Sequence, residues 1–259
     1  MSTDPRRTDS AGSASPTAIA VAQAAYRPPK GATSVLLVRH GQTIPAVDGK
    51  PFPMVDGRGD PPLTELGRLQ AEAVARRLAP LPLVGIVVTN LRRTSQSAGP
   101  LAAITGLTPL VEPDLTEYCF GEWEAGIMRL KIARRDPLAM RVVNEQRWDI
   151  IPGAERPEAF SERVAVGIER VADRFAGGLV AVFTHGGVVG EAMALASGGR
   201  AASFHGAANG SLSHLVVNPR SQSDDVAGPV EGQARRWVLR RFNATAHLPD
   251  DLDLDPVEA

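Results

Sequence analysis

The stretch Val35-Leu-Leu-Val-Arg-His-Gly-Gln-Thr43 indicates both the fold and the place of its chemistry. Its run of Val and Leu is typical of a strand buried on both faces, as in a parallel sheet. Gly41 allows a sharp backbone turn directly after the strand. Arg39 and His40 are therefore predicted at the carboxyl end of a central strand, where open α/β sheets bind ligands. Arginine suits phosphate oxygens and a neutral imidazole can attack phosphorus, although a chance histidine beside a solvated arginine explains the same pattern.

Two further apolar runs end in basic or imidazole side chains. Residues 85–89 lead into Asn90-Leu-Arg-Arg-Thr94, and residues 179–184 end at His185. Glu117 lies between these runs in the sequence. Each strand precedes a predicted helix, and helix N-termini attract anions through their free N–H groups and dipole. Several cations, two imidazoles and one carboxylate together favour phosphoryl transfer.

The spacing of apolar residues predicts alternating strands and helices, followed by an insertion, a further helix, strand and helix, and two late strands. Helices are predicted over residues 64–79, 94–105 and 157–176, and the late strands over 211–218 and 235–243. Alternating βα units imply an α/β fold, a three-layer sandwich with a mainly parallel central sheet and helices on both faces.

The length of 259 residues fits one domain, predicted over residues 34–248. Residues 1–33 are expected to form a disordered N-terminal tail, and residues 249–259 an acidic C-terminal tail. Residues 18–25 imitate a weak signal peptide, but their apolar part is short and mild. A cytoplasmic location is therefore expected, and no run is long enough to cross a bilayer as a helix.

Charge and cysteine content narrow the choice of partners. The formal net charge of −1 gives no indication of a nucleic-acid or membrane partner. A single cysteine, Cys119, cannot form an internal disulfide, which fits a reducing compartment. Cys119 is expected to be a small buried apolar residue rather than a nucleophile.

Motifs spread along the chain resemble those of the histidine phosphatase superfamily, in its phosphoglycerate mutase-like branch. Each motif is weak alone, but together and in the family's order they are specific. They occupy residues 37–43, 60–71, 90–94, 115–124, 152–155, 184–187, 209–211 and 242–248.

The resemblance implies a catalytic set of five residues. His40 would be the nucleophile and form a phosphohistidine intermediate, while Arg39, Arg93 and His185 bind the phosphoryl group. Glu117 would protonate the leaving oxygen and then take a proton from the attacking water. Positive charge nearby is expected to lower the pKa of His40 toward the reactive neutral form.

Further candidates follow from the same resemblance. The family keeps the arginine two positions after Leu91, which favours Arg93 over Arg92 as the phosphate ligand. Gln42, Thr43 and Gly186 are predicted to bind substrate, and simple loop stabilisation is an equal alternative for Gln42 and Thr43.

Several polar residues are left with ordinary roles. Asn209 and Ser211 resemble a family element near the site, and a turn before a strand also explains them. Glu124 and Glu155 are expected to be structural. The remaining histidines lack the spacing of a metal cluster, so the sequence predicts neither a metal nor another cofactor; they are His205, His214 and His247.

Two insertions, residues 44–60 and 125–151, are predicted to line the mouth of the site. The second carries four basic residues at spacings that could share a helix face. They could neutralise a second phosphate or a carboxylate, although a solvated helix face is the more usual explanation. These residues are Arg129, Lys131, Arg134 and Arg135.

Two departures from the mutase pattern favour hydrolysis. Mutases of the family usually have Asn six residues after the nucleophile, where this chain has Ala46, and Tyr three residues after the acid, where it has Phe120. We therefore predict a phosphomonoester hydrolase acting on a small phosphorylated metabolite, as a monomer or a homodimer. Phosphoglycerate mutase-type transfer and a non-catalytic phosphate-binding module are the alternatives, and the complete catalytic set argues against the latter.

Overall fold

A six-stranded mixed sheet forms the centre of the fold, in a computed structural model that describes residues 22–220 and 235–249. The strand order is β5-β4-β6-β1-β7-β8, with β5, β4, β6 and β1 parallel and β7 antiparallel to both of its neighbours. β2 and β3 form a separate hairpin. The strands are β1 Thr33–Arg39, β2 Met54–Val55, β3 Arg58–Gly59, β4 Leu83–Val88, β5 Leu110–Val111, β6 Leu179–Thr184, β7 Leu212–Val217 and β8 Trp237–Ala244.

Helices cover both faces of the sheet. They are α1 Glu65–Leu78, α2 Arg92–Thr105, α3 Ile127–Ala133, α4 Pro137–Glu145, α5 Pro157–Arg174 and α6 Gly186–Ser197. The helices predicted from apolar spacing agree with α1, α2 and α5 to within about two residues at each end, the usual uncertainty of helix boundaries.

Alternation along β1 explains the layers. Val35 and Leu37 pack in one core cluster with α5 and α6, whereas Leu36 and Val38 pack in another with α1 and α2. Successive strand residues point to opposite faces, so a strand covered on both sides must be apolar throughout. The predicted α/β three-layer sandwich is confirmed.

The insertions contain secondary structure that the sequence analysis left undefined. Residues 44–60 form the β2–β3 hairpin, and residues 125–151 form α3 and α4. Val142 and Ile151 of the second insertion form a small core together with Trp123, which precedes the insertion. The short edge strand β5 was also missed, since two residues carry no periodic signal.

The structure describes only part of each predicted tail. Residues 22–31 have no strand or helix, but the guanidinium of Arg240 lies 4.0 Å from the ring centroid of Tyr26. β1 begins at Thr33, within the range predicted as tail. Residues 1–21, 221–234 and 250–259 lie outside the described residues, so the domain limits stay a prediction. Over the described ranges, no helix has the length and apolar character to span a membrane.

The loop after β1 and helix α1 meet at backbone contact. A Cβ added to Gly41 would lie 2.3 Å from the carbonyl oxygen of Gly67, and one added to Gly67 would lie 2.1 Å from that of Gln42. The Thr64 side chain caps α1 by accepting from the Gly67 N–H at 3.0 Å. Glycine at both positions thus fixes the loop that carries His40 against α1.

Gly67→Ala should lower the free energy of unfolding by about 1–3 kcal/mol, because the new methyl group collides with backbone that cannot move aside cheaply. Gly99→Ala is the matched control, since Gly99 also lies inside a helix but nothing stands within 4 Å of its added Cβ. The control should raise the free energy of unfolding by about 0.5–1 kcal/mol. Urea denaturation followed by circular dichroism measures both, and equal changes would contradict this packing.

Candidate active site

Strand pairing places the two predicted catalytic histidines side by side. β1 and β6 pair in parallel with Arg39 opposite Thr184, and the His40 N–H donates to the Thr184 carbonyl at 3.0 Å. His40 and His185 directly follow these partners, and their ring centroids lie 5.3 Å apart in an edge-to-face arrangement. The sheet edge predicted from sequence does bring them together.

Local hydrogen bonding gives His40 the tautomer that a nucleophile needs. Its Nδ1 lies 2.7 Å from the carbonyl oxygen of Gly41, which can only accept, so the proton is assigned to Nδ1 and the lone pair to Nε2. Burial lowers the pKa of His40 well below its usual value, and Arg93 and Arg39 lower it further. His40 is therefore neutral at pH 7, as expected, although burial rather than charge is the largest cause.

The position of Arg93 distinguishes it from its neighbour. Arg93 lies in the first turn of α2 and is buried, with Nε donating to His185 Nδ1 at 3.3 Å and a terminal nitrogen donating to the Gly59 carbonyl at 2.9 Å. Burial lowers its pKa to about 10, so it remains charged. Arg92 instead donates to Asp60 at 2.7 Å. The structure thus places Arg93, and not Arg92, beside the histidines.

Two glycines after His185 make room for functional side chains. A Cβ on Gly186 would lie 3.3 Å from Nε of Arg39, and one on Gly187 would lie 2.4 Å from Oε1 of Glu117. Arg39 ends β1 and its guanidinium donates to the Ala207 carbonyl. Any larger residue at position 187 would displace the Glu117 carboxylate, so this requirement explains the glycine pair.

Glu117 is held mainly through its backbone. Its carbonyl oxygen accepts from Nε of Arg58 at 2.7 Å and from Arg163 at 3.0 Å. Its carboxylate accepts from the N–H groups of Tyr118 at 3.0 Å and Gly187 at 3.4 Å. The arrangement fixes the position of Glu117 while leaving its oxygens able to exchange a proton with a bound group.

His185 is completely buried beneath the site. Its Nε2 lies 3.0 Å from the hydroxyl of Thr89, which lies 3.2 Å from that of Thr94. Burial lowers the pKa of His185 well below its usual value, with Arg93 and His40 adding to the effect. The sequence analysis missed both threonines, although Thr94 belongs to the motif that carries Arg93 and Thr89 directly precedes that motif.

Part of this set lines a cavity of about 190 Å³ at the carboxyl end of β1, hereafter the phosphoryl cavity, whose wall does not include His185 or the two glycines after it. His40 and Glu117 face it, and so does Phe52 of the first insertion. Four guanidinium groups line it, against the carboxylates of Glu117 and Glu124. The four are Arg39, Arg58, Arg93 and Arg129. An anion would find strong charge complementarity there.

The predicted basic cluster of the second insertion does not form one surface. Helix α3 ends at Ala133, so Arg134 and Arg135 lie beyond it. Lys131 pairs with Asp136 at 2.8 Å, and Arg134 pairs with Asp48 at 2.8 Å. Only Arg129 enters the phosphoryl cavity. The prediction of a shared helix face was wrong, because α3 runs from Ile127 to Ala133 and so contains only Arg129 and Lys131.

The predicted substrate-binding residues of the first loop hold other protein groups. The Gln42 side chain accepts from the Thr64 hydroxyl at 2.9 Å, and Thr43 accepts from Arg129 at 2.9 Å. Thr43 therefore positions the arginine that faces the cavity. Direct binding of substrate by Gln42 and Thr43 stays a prediction.

Asn209 and Ser211 support the backbone of the site. The Asn209 side chain donates to the His40 carbonyl at 2.8 Å, and the Ser211 carbonyl accepts from the Arg39 N–H at 3.2 Å. Both contacts fix the end of β1, from which Arg39 and His40 project.

The remaining polar candidates have structural contacts. Glu124 accepts from two backbone N–H groups at 2.8 Å, and Glu155 forms a two-pronged ion pair with Arg163. Cys119 is partly exposed rather than buried as expected. Within residues 22–220 and 235–249, no group of three potential ligands, histidines included, is arranged to hold a metal ion.

Comparisons with known proteins agree with this geometry. The sequence model of the histidine phosphatase superfamily, branch 1, matches residues 35–224. A phosphoglycerate mutase-like protein of Arabidopsis thaliana is 31% identical over 159 residues, which are 60% of this chain and 67% of that protein. A bifunctional protein of Mycobacterium tuberculosis is 34% identical over 154 residues, 59% of this chain but only 41% of its own length.

A solved structure extends the likeness to the fold. Mycobacterial glucosyl-3-phosphoglycerate phosphatase superposes with a TM-score of 0.64 at 27% identity, covering 83% of this chain and all of that one. The family resemblance drawn from the motifs is confirmed.

Arg93→Gln should raise the pKa of His40, because it removes a positive charge that disfavours the imidazolium while most of the burial remains. Arg92→Gln is the control and should leave the pKa unchanged, since Arg92 is bonded to Asp60 outside the cavity. Proton–nitrogen NMR titration of the imidazole measures both. Wild-type His40 should still be neutral at pH 6.5, where a free imidazole is about half protonated. Equal pKa values in the two variants would contradict the placement of Arg93.

Proposed function

This chain belongs to branch 1 of the histidine phosphatase superfamily, and we propose that it is a metal-independent hydrolase of small phosphomonoesters. The observation that carries the proposal is His40, a buried neutral imidazole with its Nε2 lone pair beside a cavity lined by four arginines. A nucleophile must be unprotonated, and its anionic target must be neutralised before it can be attacked.

The reaction proceeds in two balanced steps. In the first, Nε2 of His40 bonds to phosphorus while the ester P–O bond breaks, and Glu117 gives its proton to the leaving oxygen. In the second, Glu117 takes a proton from water, whose oxygen bonds to phosphorus as the P–N bond breaks. Arg39, Arg93 and Arg129 neutralise the phosphoryl oxygens throughout, because such transfer depends mainly on positioning and charge.

Hydrolysis is preferred over phosphoglycerate mutase-type transfer. A mutase must keep its phosphoenzyme from reacting with water and must hold an acidic product. Phe120 lines the phosphoryl cavity, and Ala46 packs beside Gly126, so neither departure from the mutase pattern supplies a polar group. The named relatives include both a mutase-like protein and a phosphatase, so the assay includes transfer as an outcome.

The proposal also covers the cellular location of the protein and its binding partner. We place the protein in the cytoplasm, which its single cysteine supports, because oxidising compartments favour paired cysteines. Its partner is a small phosphomonoester. Gly186 contributes to binding indirectly, because its lack of a side chain leaves space for Arg39.

The purified protein should hydrolyse glycerol 3-phosphate in the presence of EDTA, and His40→Ala should abolish the activity because the nucleophile is lost. Rapid quenching in alkaline detergent during turnover should trap acid-labile phosphate on wild-type protein only. Substantial hydrolysis by folded His40→Ala protein would disprove the assigned nucleophile. Phosphate transfer to phosphoglycerate without release of inorganic phosphate would establish the mutase alternative.

Glu117→Gln should slow phosphorylation by alkyl phosphates far more than by nitrophenyl phosphate. An alkoxide needs a proton as it leaves, whereas nitrophenolate is stable, and general acid catalysis contributes about 10²–10⁴-fold. Rapid-quench kinetics separates the two steps, and slow dephosphorylation should give a burst with the nitrophenyl ester. Glu124→Gln is the control, because that carboxylate also faces the cavity but is bonded to backbone N–H groups. Equal losses for both esters in Glu117→Gln would exclude Glu117 as the acid.

A further inference from the structure

A second and larger cavity, hereafter the ring cavity, adjoins the phosphoryl cavity. Its volume is about 790 Å³, and Arg39, Glu117, Tyr118 and Phe120 belong to the walls of both. In-line attack by His40 places the leaving oxygen on the far side of phosphorus, within reach of Glu117, which lines both cavities while His40 lines only the phosphoryl cavity. The ring cavity therefore is the place for the leaving alcohol, an inference that rests on the proposed hydrolase function.

The size of the ring cavity bears on the size of that alcohol. Sites that enclose organic ligands of drug size span roughly 300–1,000 Å³. At about 790 Å³ the ring cavity lies in the upper part of this range. A three-carbon acid such as glycerate would leave most of it filled with water.

A continuous series of aromatic rings forms one wall of the ring cavity. Neighbouring ring centroids are separated by 5.1, 5.6, 5.7 and 6.0 Å, at the spacing of favourable aromatic contacts. The series begins beside Glu117 and ends in an exposed residue. In order it consists of Phe160, Tyr118, Phe120, Trp148 and His205, and all five line the cavity.

The charges of the ring cavity are unfavourable for a second anionic group. Four carboxylates line it, against two arginines. Arg147 is already paired with Asp149 at 2.6 Å, and Arg39 donates to the Ala207 carbonyl and also lines the phosphoryl cavity. Burial lowers the pKa of His205, so this ring is neutral at pH 7. The carboxylates are Glu117, Asp149, Glu158 and Glu191.

We propose that the substrate is a phosphomonoester whose alcohol carries a planar aromatic or heteroaromatic ring and no further negative charge. The ring lies against the aromatic wall, and the phosphorylated carbon reaches past Glu117 to His40. Stacking on aromatic side chains is tolerant of the identity of the ring, so the wall selects for planarity and against charge.

Adenosine 5′-monophosphate and ribose 5-phosphate test the ring, because they share the phosphorylated sugar carbon and differ in the base. kcat/KM for the nucleotide should be about tenfold higher or more. Glycerol 3-phosphate and 3-phosphoglycerate test the charge, since the latter replaces a hydroxymethyl group by a carboxylate. The carboxylate should lower kcat/KM by about fivefold.

Trp148→Leu should remove the preference for the nucleotide and leave kcat/KM for ribose 5-phosphate unchanged, while Trp148→Phe should retain most of the preference. His205→Ala changes the exposed end of the wall and is a second variant in case Trp148→Leu fails to fold. It should weaken the preference for the nucleotide without changing kcat/KM for ribose 5-phosphate. Equal kcat/KM of the wild-type protein for adenosine 5′-monophosphate and ribose 5-phosphate would overturn the ring proposal. An equal loss of kcat/KM for both esters in the Trp148→Leu and His205→Ala variants would also overturn it. If the protein hydrolyses none of the four esters, the proposed hydrolase function itself is overturned.

Discussion

The parallel pairing of β1 with β6 is the constraint on which the site depends. A shift of one residue in this register would turn every β1 side chain to the opposite face, so that Val35 and Leu37 would exchange cores with Leu36 and Val38. The pairing ends with the His40 N–H bonded to the Thr184 carbonyl, so the next side chain on each strand is an imidazole. The pairing of these apolar strands thus determines the distance between the two histidines that are proposed to act in catalysis.

That placement has an electrostatic cost. Arg93 and His185 are buried together, and burial lowers the pKa of both, which means that each is held in an environment less favourable to charge than water. The fold stabilises the Arg93 guanidinium through the Gly59 carbonyl and His185 Nδ1 rather than through a carboxylate in direct contact. A carboxylate there would neutralise one of the four guanidinium groups that line the phosphoryl cavity and weaken the attraction of the cavity for an anion. The site is therefore complete electrostatically only when an anion occupies it.

Local sequence patterns predicted the parts of the molecule that depend on short-range information. The apolar strands and helices α1, α2 and α5 follow from periodicity, whereas the choice of Arg93 over Arg92 came from the resemblance to the family. The basic cluster failed because where α3 ends depends on its packing, and only Arg129 has a partner, Thr43, that directs it inward. The aromatic wall could not be predicted, because its rings come from four separate segments between residues 118 and 205 and no spacing along the chain relates them.

The two cavities connect catalysis with the choice of substrate through a few shared residues. Glu117 lines both cavities, and its neighbours Tyr118 and Phe120 belong to the aromatic wall. In the mutase pattern the position of Phe120 carries a hydroxyl group, which would place a polar donor at the junction of the cavities. Phenylalanine removes that donor and continues the apolar surface toward Trp148. The missing hydroxyl group of Phe120 therefore argues against a mutase and, at the same time, keeps the aromatic wall apolar where a substrate ring would lie.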